Sequence, residues 1–181
     1  MQKVSEGNVG RVYLQGYAEF DRHSLILREA DKPGLDMFAF KVDSEKSIED
    51  FSKRIEAFGL TVDQVPAGEM PGVGTRIGFM VTTGHRFELH ADMELSEYGY
   101  MVTNPEVWRE EPRGMKVTRL DHAQLHGPDV EDNLSFSMKV LDFSLPETDE
   151  EQELQGKSWL EIANSDDDPE RVAFSEYHAA T

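Results

Sequence analysis

The 181 residues predict an α+β fold of repeated βαβββ units, the first and last of them incomplete. Three observations carry this expectation. β-Rich runs are punctuated by Gly, Pro and Asp turns; one well-capped helix carries an apolar stripe; and the strand–helix pattern restarts after a proline-bearing linker. A hydrophobic content of 38% with 10 Phe is enough for a packed core, and with no cysteine that core is built without disulfides.

Residues 11–20 and 24–28 are β-rich, with Asp21-Arg22 between them, and read as a hairpin. Ala30-Asp31-Lys32-Pro33-Gly34 is turn chemistry, and 35–42 alternates into a third strand. A helix follows, opened by Ser44 or Ser47 with an acidic first turn and closed by Gly59. Its residues Ile48, Phe51, Ile55 and Phe58 fall at helical spacing, so this stripe is expected to face a sheet, with Phe51 in the core. Strands are expected over 61–65, 76–81 and 86–90, with loops at 66–74 and 82–85.

Residues 93–116 have little periodicity and read as a linker anchored by Trp108. The pattern then restarts with a strand over 117–125, a helix opened by Pro128-Asp129 with Leu134, Met138 and Leu141 on one face, and strands over 156–164 and 171–177. One unit, 35–92, is therefore complete, a partial unit precedes it and another follows. The implied division is an N-terminal domain over 1–92, a linker over 93–116 and the start of a second domain over 117–181. A unit missing a strand cannot close its sheet, so exposed edges or a borrowed partner, in the form of a homo-oligomer, are expected.

Eighteen Lys and Arg against 36 Asp and Glu give a net charge of −18. No basic stripe exists to follow a phosphate backbone, which argues against nucleic acid, and the same repulsion disfavours anionic membranes. No apolar run approaches the roughly 20 residues of a membrane span, and the first residues lack a signal-peptide core, so a soluble, cytoplasmic protein is expected. The acids form local runs, Asp149-Glu150-Glu151 and Asp166-Asp167-Asp168, but also spread over the whole chain. That spread favours a carboxylate-coated, halophile-like surface over an acidic tail.

Among the histidines, His23, His126 and His178 read as turn or surface residues. Glu88 and His90, two apart on one strand, share a face, whereas His85 belongs to the turn before it. Taken alone, His122 reads as a strand histidine with a satisfied hydrogen bond.

Six segments in order then resemble the catechol 2,3-dioxygenases, extradiol ring-cleaving enzymes of the vicinal oxygen chelate superfamily. They are Gly10-Arg11-Val12-Tyr13-Leu14, the run from Ser24 to Asp31, Phe38-Ala39-Phe40-Lys41-Val42, Pro66-Ala67-Gly68-Glu69, Gly84-His85-Arg86-Phe87-Glu88-Leu89 and Asn104-Pro105-Glu106-Val107-Trp108. The resemblance implies four βαβββ modules in two domains, with Fe(II), sometimes Mn(II), held in the second by two His and one Glu. Such a site leaves positions open for a chelating catecholate and for O₂.

The first ligand of the family lies in a pattern like Arg-x-Asp-His-Ala, which Arg119-Leu120-Asp121-His122-Ala123 matches, so the resemblance implies His122 as a metal ligand. The other two ligands are expected beyond Thr181. Where the family has an acid/base His, in a strand resembling His-Asp-Val-Ala-Phe, this chain has Glu170 ahead of Arg171-Val172-Ala173-Phe174. Glu88, on a strand resembling Gly-x-x-x-Glu, stands in a non-metal copy of the module and is expected to be a vestige or an ion-pair partner. The implied function is extradiol cleavage of a catechol-type aromatic with O₂, with the isolated chain expected to be inactive. The alternative is a non-catalytic protein of the same fold that binds a small aromatic or a sister chain.

Overall fold

The computed structural model describes residues 2–6, 10–16, 19–96, 120, 122–143, 158–164 and 171–176; for Gln2, His122, Gln124, 158–164 and 171–176 it describes the backbone alone. The expected hairpin is a three-stranded antiparallel sheet, β1 (Gln2–Glu6), β2 (Arg11–Gln15) and β3 (Leu25–Arg28), in the order β1-β2-β3. The first strand was not legible, because Lys3-Val4-Ser5 offers only one apolar residue to a period-2 pattern. The second ends at Gln15 rather than Phe20, and Asp21 forms an isolated bridge with Leu95 instead of serving as a simple turn.

The complete unit follows as β4 (Phe38–Lys41), α1 (Glu45–Phe58), β5 (Asp63–Val65), β6 (Arg76–Met80) and β7 (Arg86–His90). Its sheet has the order β4-β7-β6-β5, with β4 parallel to β7 and the remaining pairs antiparallel. Alternation along the strands sends Ile77, Phe79, Phe87 and Leu89 into the core, and Arg76, Glu88 and His90 to the opposite face.

Ser44 caps α1 by accepting from the Ser47 N–H at 3.2 Å, and Gly59 ends it in a left-handed conformation, φ 107°, that favours glycine. Only Ile48 and Ile55 of the stripe are buried. Phe51 is half-buried beneath the Arg54 guanidinium, 5.1 Å from the ring centre, and Phe58 is 42% exposed, its ring edge-on to Phe136 at 5.2 Å. The reason is angular: at about 100° per residue Ile55 lies roughly 20° from Ile48, whereas Phe51 lies roughly 60° and Phe58 roughly 80° away.

The last unit runs β8 (His122–Gly127), α2 (Val130–Lys139), β9 (Ser158–Asn164) and β10 (Arg171–Glu176), in the sheet order β10-β9-β8. β8 is parallel to β9, the strand that directly follows the helix, whereas in the complete unit β4 is parallel to β7, the third strand after the helix. The buried residues of α2 are Val130, Asn133, Phe136 and Ser137; of the expected face Leu141 is in the core and Leu134 packs against it, whereas Met138 is 42% exposed and is corrected. Two of the buried positions are polar, so an apolar pattern alone misses part of the face. The side-chain polar atoms of Asn133 and Ser137 have no hydrogen-bond partner.

One core joins the last two units: Phe40, Ile48, Ile55, Phe79 and Phe87 pack in the same cluster as Leu125, Val130 and Phe136. Arg54 of α1 fastens α2 with a bidentate pair to Asp142, at 2.6 and 2.7 Å, and a bond to the Lys139 carbonyl at 3.0 Å. β1, β2 and β3 contribute nothing to this cluster. Among the described residues, no helix is long and apolar enough to cross a membrane.

Candidate functional site

β8 carries His122 at its first position, in register with Trp159 of β9. At the far end of the strand, a Cβ on Gly127 would lie 2.8 Å from the Thr83 carbonyl oxygen, so only glycine lets β8 approach the turn between β6 and β7 this closely. At the near end the Leu120 N–H donates to Glu19 Oε1 at 2.7 Å. The backbone position of His122 is thus fixed at both ends of its strand. Glu170 and Trp108 lie outside the described residues, as does His178. His126 is exposed, as expected of a surface residue.

The second group of candidates lies on the polar face of the complete unit. Glu88 and His90 do share that face, and His85 does belong to the turn, where its Nδ1 lies 3.0 Å from Thr83 Oγ1. Both Glu88 oxygens are engaged: Oε2 accepts from Arg76 Nε at 2.8 Å and Oε1 from Arg86 Nε at 3.0 Å. Arg76, buried, also pairs with Glu69, and Arg86 pairs with Asp63 at 2.9 Å. Glu88 is therefore the ion-pair partner that was expected. The hub of the network is Arg76, which the sequence hid, because its cross-strand relation to His90 and Glu88 depends on the β6–β7 register.

His23 corrects an expectation. It lies in the connection between β2 and β3 but is 7% exposed and packs edge-on against Tyr13 with ring centres 4.8 Å apart, so it is not a surface residue. Burial, and then the nearby Arg22 charge, push its pKa down to about 4. Burial also lowers His90, whose Nδ1 has no hydrogen-bond partner. Both rings sit where the first sheet meets the complete unit, a seam held by Lys41–Asp21 at 2.8 Å and by the Arg22–Glu94 ion pair.

Among the described residues no three His, Asp or Glu side chains converge to hold a metal ion. Glu88 and His90 share one sheet face, but the two arginines occupy the carboxylate. The described side chains do not include that of His122, so this result bears on Glu88 and His90 and not on the β8 position.

The sheet order β4-β7-β6-β5, with a helix crossing between β4 and β5, is the module of the vicinal oxygen chelate fold. Residues 35–94, which span this unit, match the catechol 2,3-dioxygenase-like N-terminal domain. A metapyrocatechase of Pseudomonas sp. (strain CF600) is 39% identical over 139 residues, 76% of this chain and 45% of that protein. A manganese-dependent 2,3-dihydroxybiphenyl 1,2-dioxygenase of Geobacillus genomosp. 3 is 24% identical over 71% of this chain and 44% of its own. The crystal structure of the 2,3-dioxygenase LapB from Pseudomonas sp. KL28 superposes with a TM-score of 0.72 at 36% identity, covering 79% of this chain and 50% of that one. The chain is a relative of the catechol 2,3-dioxygenases over about three quarters of its length. It spans less than half the length of these curated relatives.

Proposed function

We propose that this chain serves extradiol ring cleavage of a catechol-type aromatic by O₂, and that His122 is its metal ligand. The observation that carries the reading is the Arg119-Leu120-Asp121-His122-Ala123 motif, within a chain 39% identical to a metapyrocatechase. A bound Fe(II) or Mn(II) would act as Lewis acid and template for catecholate and O₂. Manganese has its support in the dioxygenase relative named for it. On this reading residues 1–92 form the non-metal domain, 93–116 the linker and 117–181 the opening of the metal-binding domain, and the −18 charge is a halophile-like surface. The protein works as a homo-oligomer in which uncovered strand edges are paired.

The test is to add Fe(II) and catechol in air to the purified 181-residue chain and follow formation of the yellow 2-hydroxymuconic semialdehyde. No product above a metal-only control is expected, since of the three ligands the resemblance implies only His122 is matched in these residues. Turnover that His122→Ala abolishes would make His122 catalytic and would refute the insufficiency of these residues alone.

A further inference from the structure

We propose that Glu19 is a positioning residue: its carboxylate holds the entry to β8, and through it the backbone of His122, against the loop that closes the first sheet. The proposal rests on the reading of His122 as the site-bearing residue. Glu19 follows β2 in sequence yet reaches Leu120 across 101 residues, two positions before His122. Its Oε1 accepts from the Leu120 N–H at 2.7 Å, and its Oε2 accepts from the Gly16 N–H and the Ser24 hydroxyl.

Gln15, fully buried, braces the same loop by donating from Nε2 to the carbonyls of Glu19 and Asp21, each at 2.8 Å. Its Oε1 accepts from Ser96 Oγ at 3.2 Å, and the Ser96 N–H donates to the Phe20 carbonyl at 2.6 Å. Residues 96 and 120 are therefore fastened to one loop of the first sheet. At the other end of β8, Gly127 rests on Thr83. The strand is held at one end by the complete unit and at the other by Glu19.

All three groups on the Glu19 carboxylate are donors, so position 19 calls for a group that only accepts. A carboxylate does this, and charge-assisted bonds are the strong ones. Glutamine has nearly the same shape, but keeping its one oxygen on the two donors at the Oε2 side turns its NH₂ toward the Leu120 N–H, which loses that bond and sets donor against donor.

The experiment is amide hydrogen exchange and histidine NMR on the full chain, comparing the unmodified protein with Glu19→Gln and Ser24→Ala. In Glu19→Gln we expect exchange at the Leu120 amide to rise roughly tenfold, as the loss of one charge-assisted bond implies, and the His122 amide and ring resonances to move, with β6 and β7 amides unchanged. Ser24→Ala removes an arm that does not reach β8 and should leave Leu120 exchange within about twofold. Unchanged Leu120 exchange and His122 resonances in Glu19→Gln would overturn the proposal, as would equal effects in Ser24→Ala. None of these readouts uses metal or catechol, so either outcome of the ring-cleavage assay leaves this test intact.

Discussion

The complete unit and the first sheet are built from the same three-strand meander, yet they bury their outer faces differently. In β6 and β7 that face is Ile77, Phe79, Phe87 and Leu89, all closed off in the cluster with α1 and α2. In β2 and β3 the corresponding row is Val12 and Leu14 with their register partners Leu27 and Leu25, of which Leu27 is 52% exposed and none joins that cluster. On the inner side the two regions converge, both presenting buried polar groups: Tyr13, Gln15 and His23 from one, Arg76, Glu88 and His90 from the other. The difference teaches that stability resides in the helix-covered unit, and that the first sheet is held chiefly through its inner seam.

The largest expected effect follows from that contrast. Phe87, with no exposed surface, meets the rings of Phe38, Phe40 and Phe79, so Phe87→Ala should cost about 3–5 kcal/mol in denaturant unfolding. Leu27→Ala should fall within about 0.5 kcal/mol, as at other exposed positions. Equal losses at the two sites would erase the distinction between the regions.

The seam should yield to acid before the helix-covered core does. His23 is held at about 4, below its ordinary 6.5, and His90 is lowered as well, so the fold accommodates neutral rings. The His23 contribution is complete above pH 6.5 and is lost as pH falls from 6.5 through about 4, because the unfolded state binds the proton first, and His90 acts in the same direction. Once the intrinsic pH dependence of exchange is divided out, amide protection in β2 should fall over this window more than protection in β6, and His23→Gln should flatten the dependence. A uniform loss of protection across both sheets would remove the seam from the account.

Salt should produce the smallest change and act on the molecule as a whole. With a charge of −18, the thermal midpoint should rise as the Debye length shrinks from roughly 30 Å at 0.01 M to about 3 Å at 1 M. A midpoint that is flat or falling over that range would reduce the acidity to a surface bias.

Much of the architecture was legible because local signals agreed. Ser44 and Gly59 marked the ends of α1, and the alternation in β6 and β7 fixed their faces. What escaped depended on contacts distant in sequence. His23 looked like a surface residue until the first sheet packed against the complete unit, and Arg76 looked like an ordinary strand arginine until register set it beside His90. Part of the buried face of α2 was masked by Asn133 and Ser137, polar residues in a core position. Glu19 carried no motif at all, since its meaning arises only when Leu120 arrives across 101 residues.

The central claim, that His122 is the metal-facing residue of this chain, is tested most directly by titrating Mn(II) into the labelled protein and following all 6 histidines by NMR. The account predicts paramagnetic broadening that begins at the His122 ring, with weak affinity, and that His122→Ala removes it. Broadening that starts at His90 or follows the acidic clusters while His122 stays sharp would contradict it.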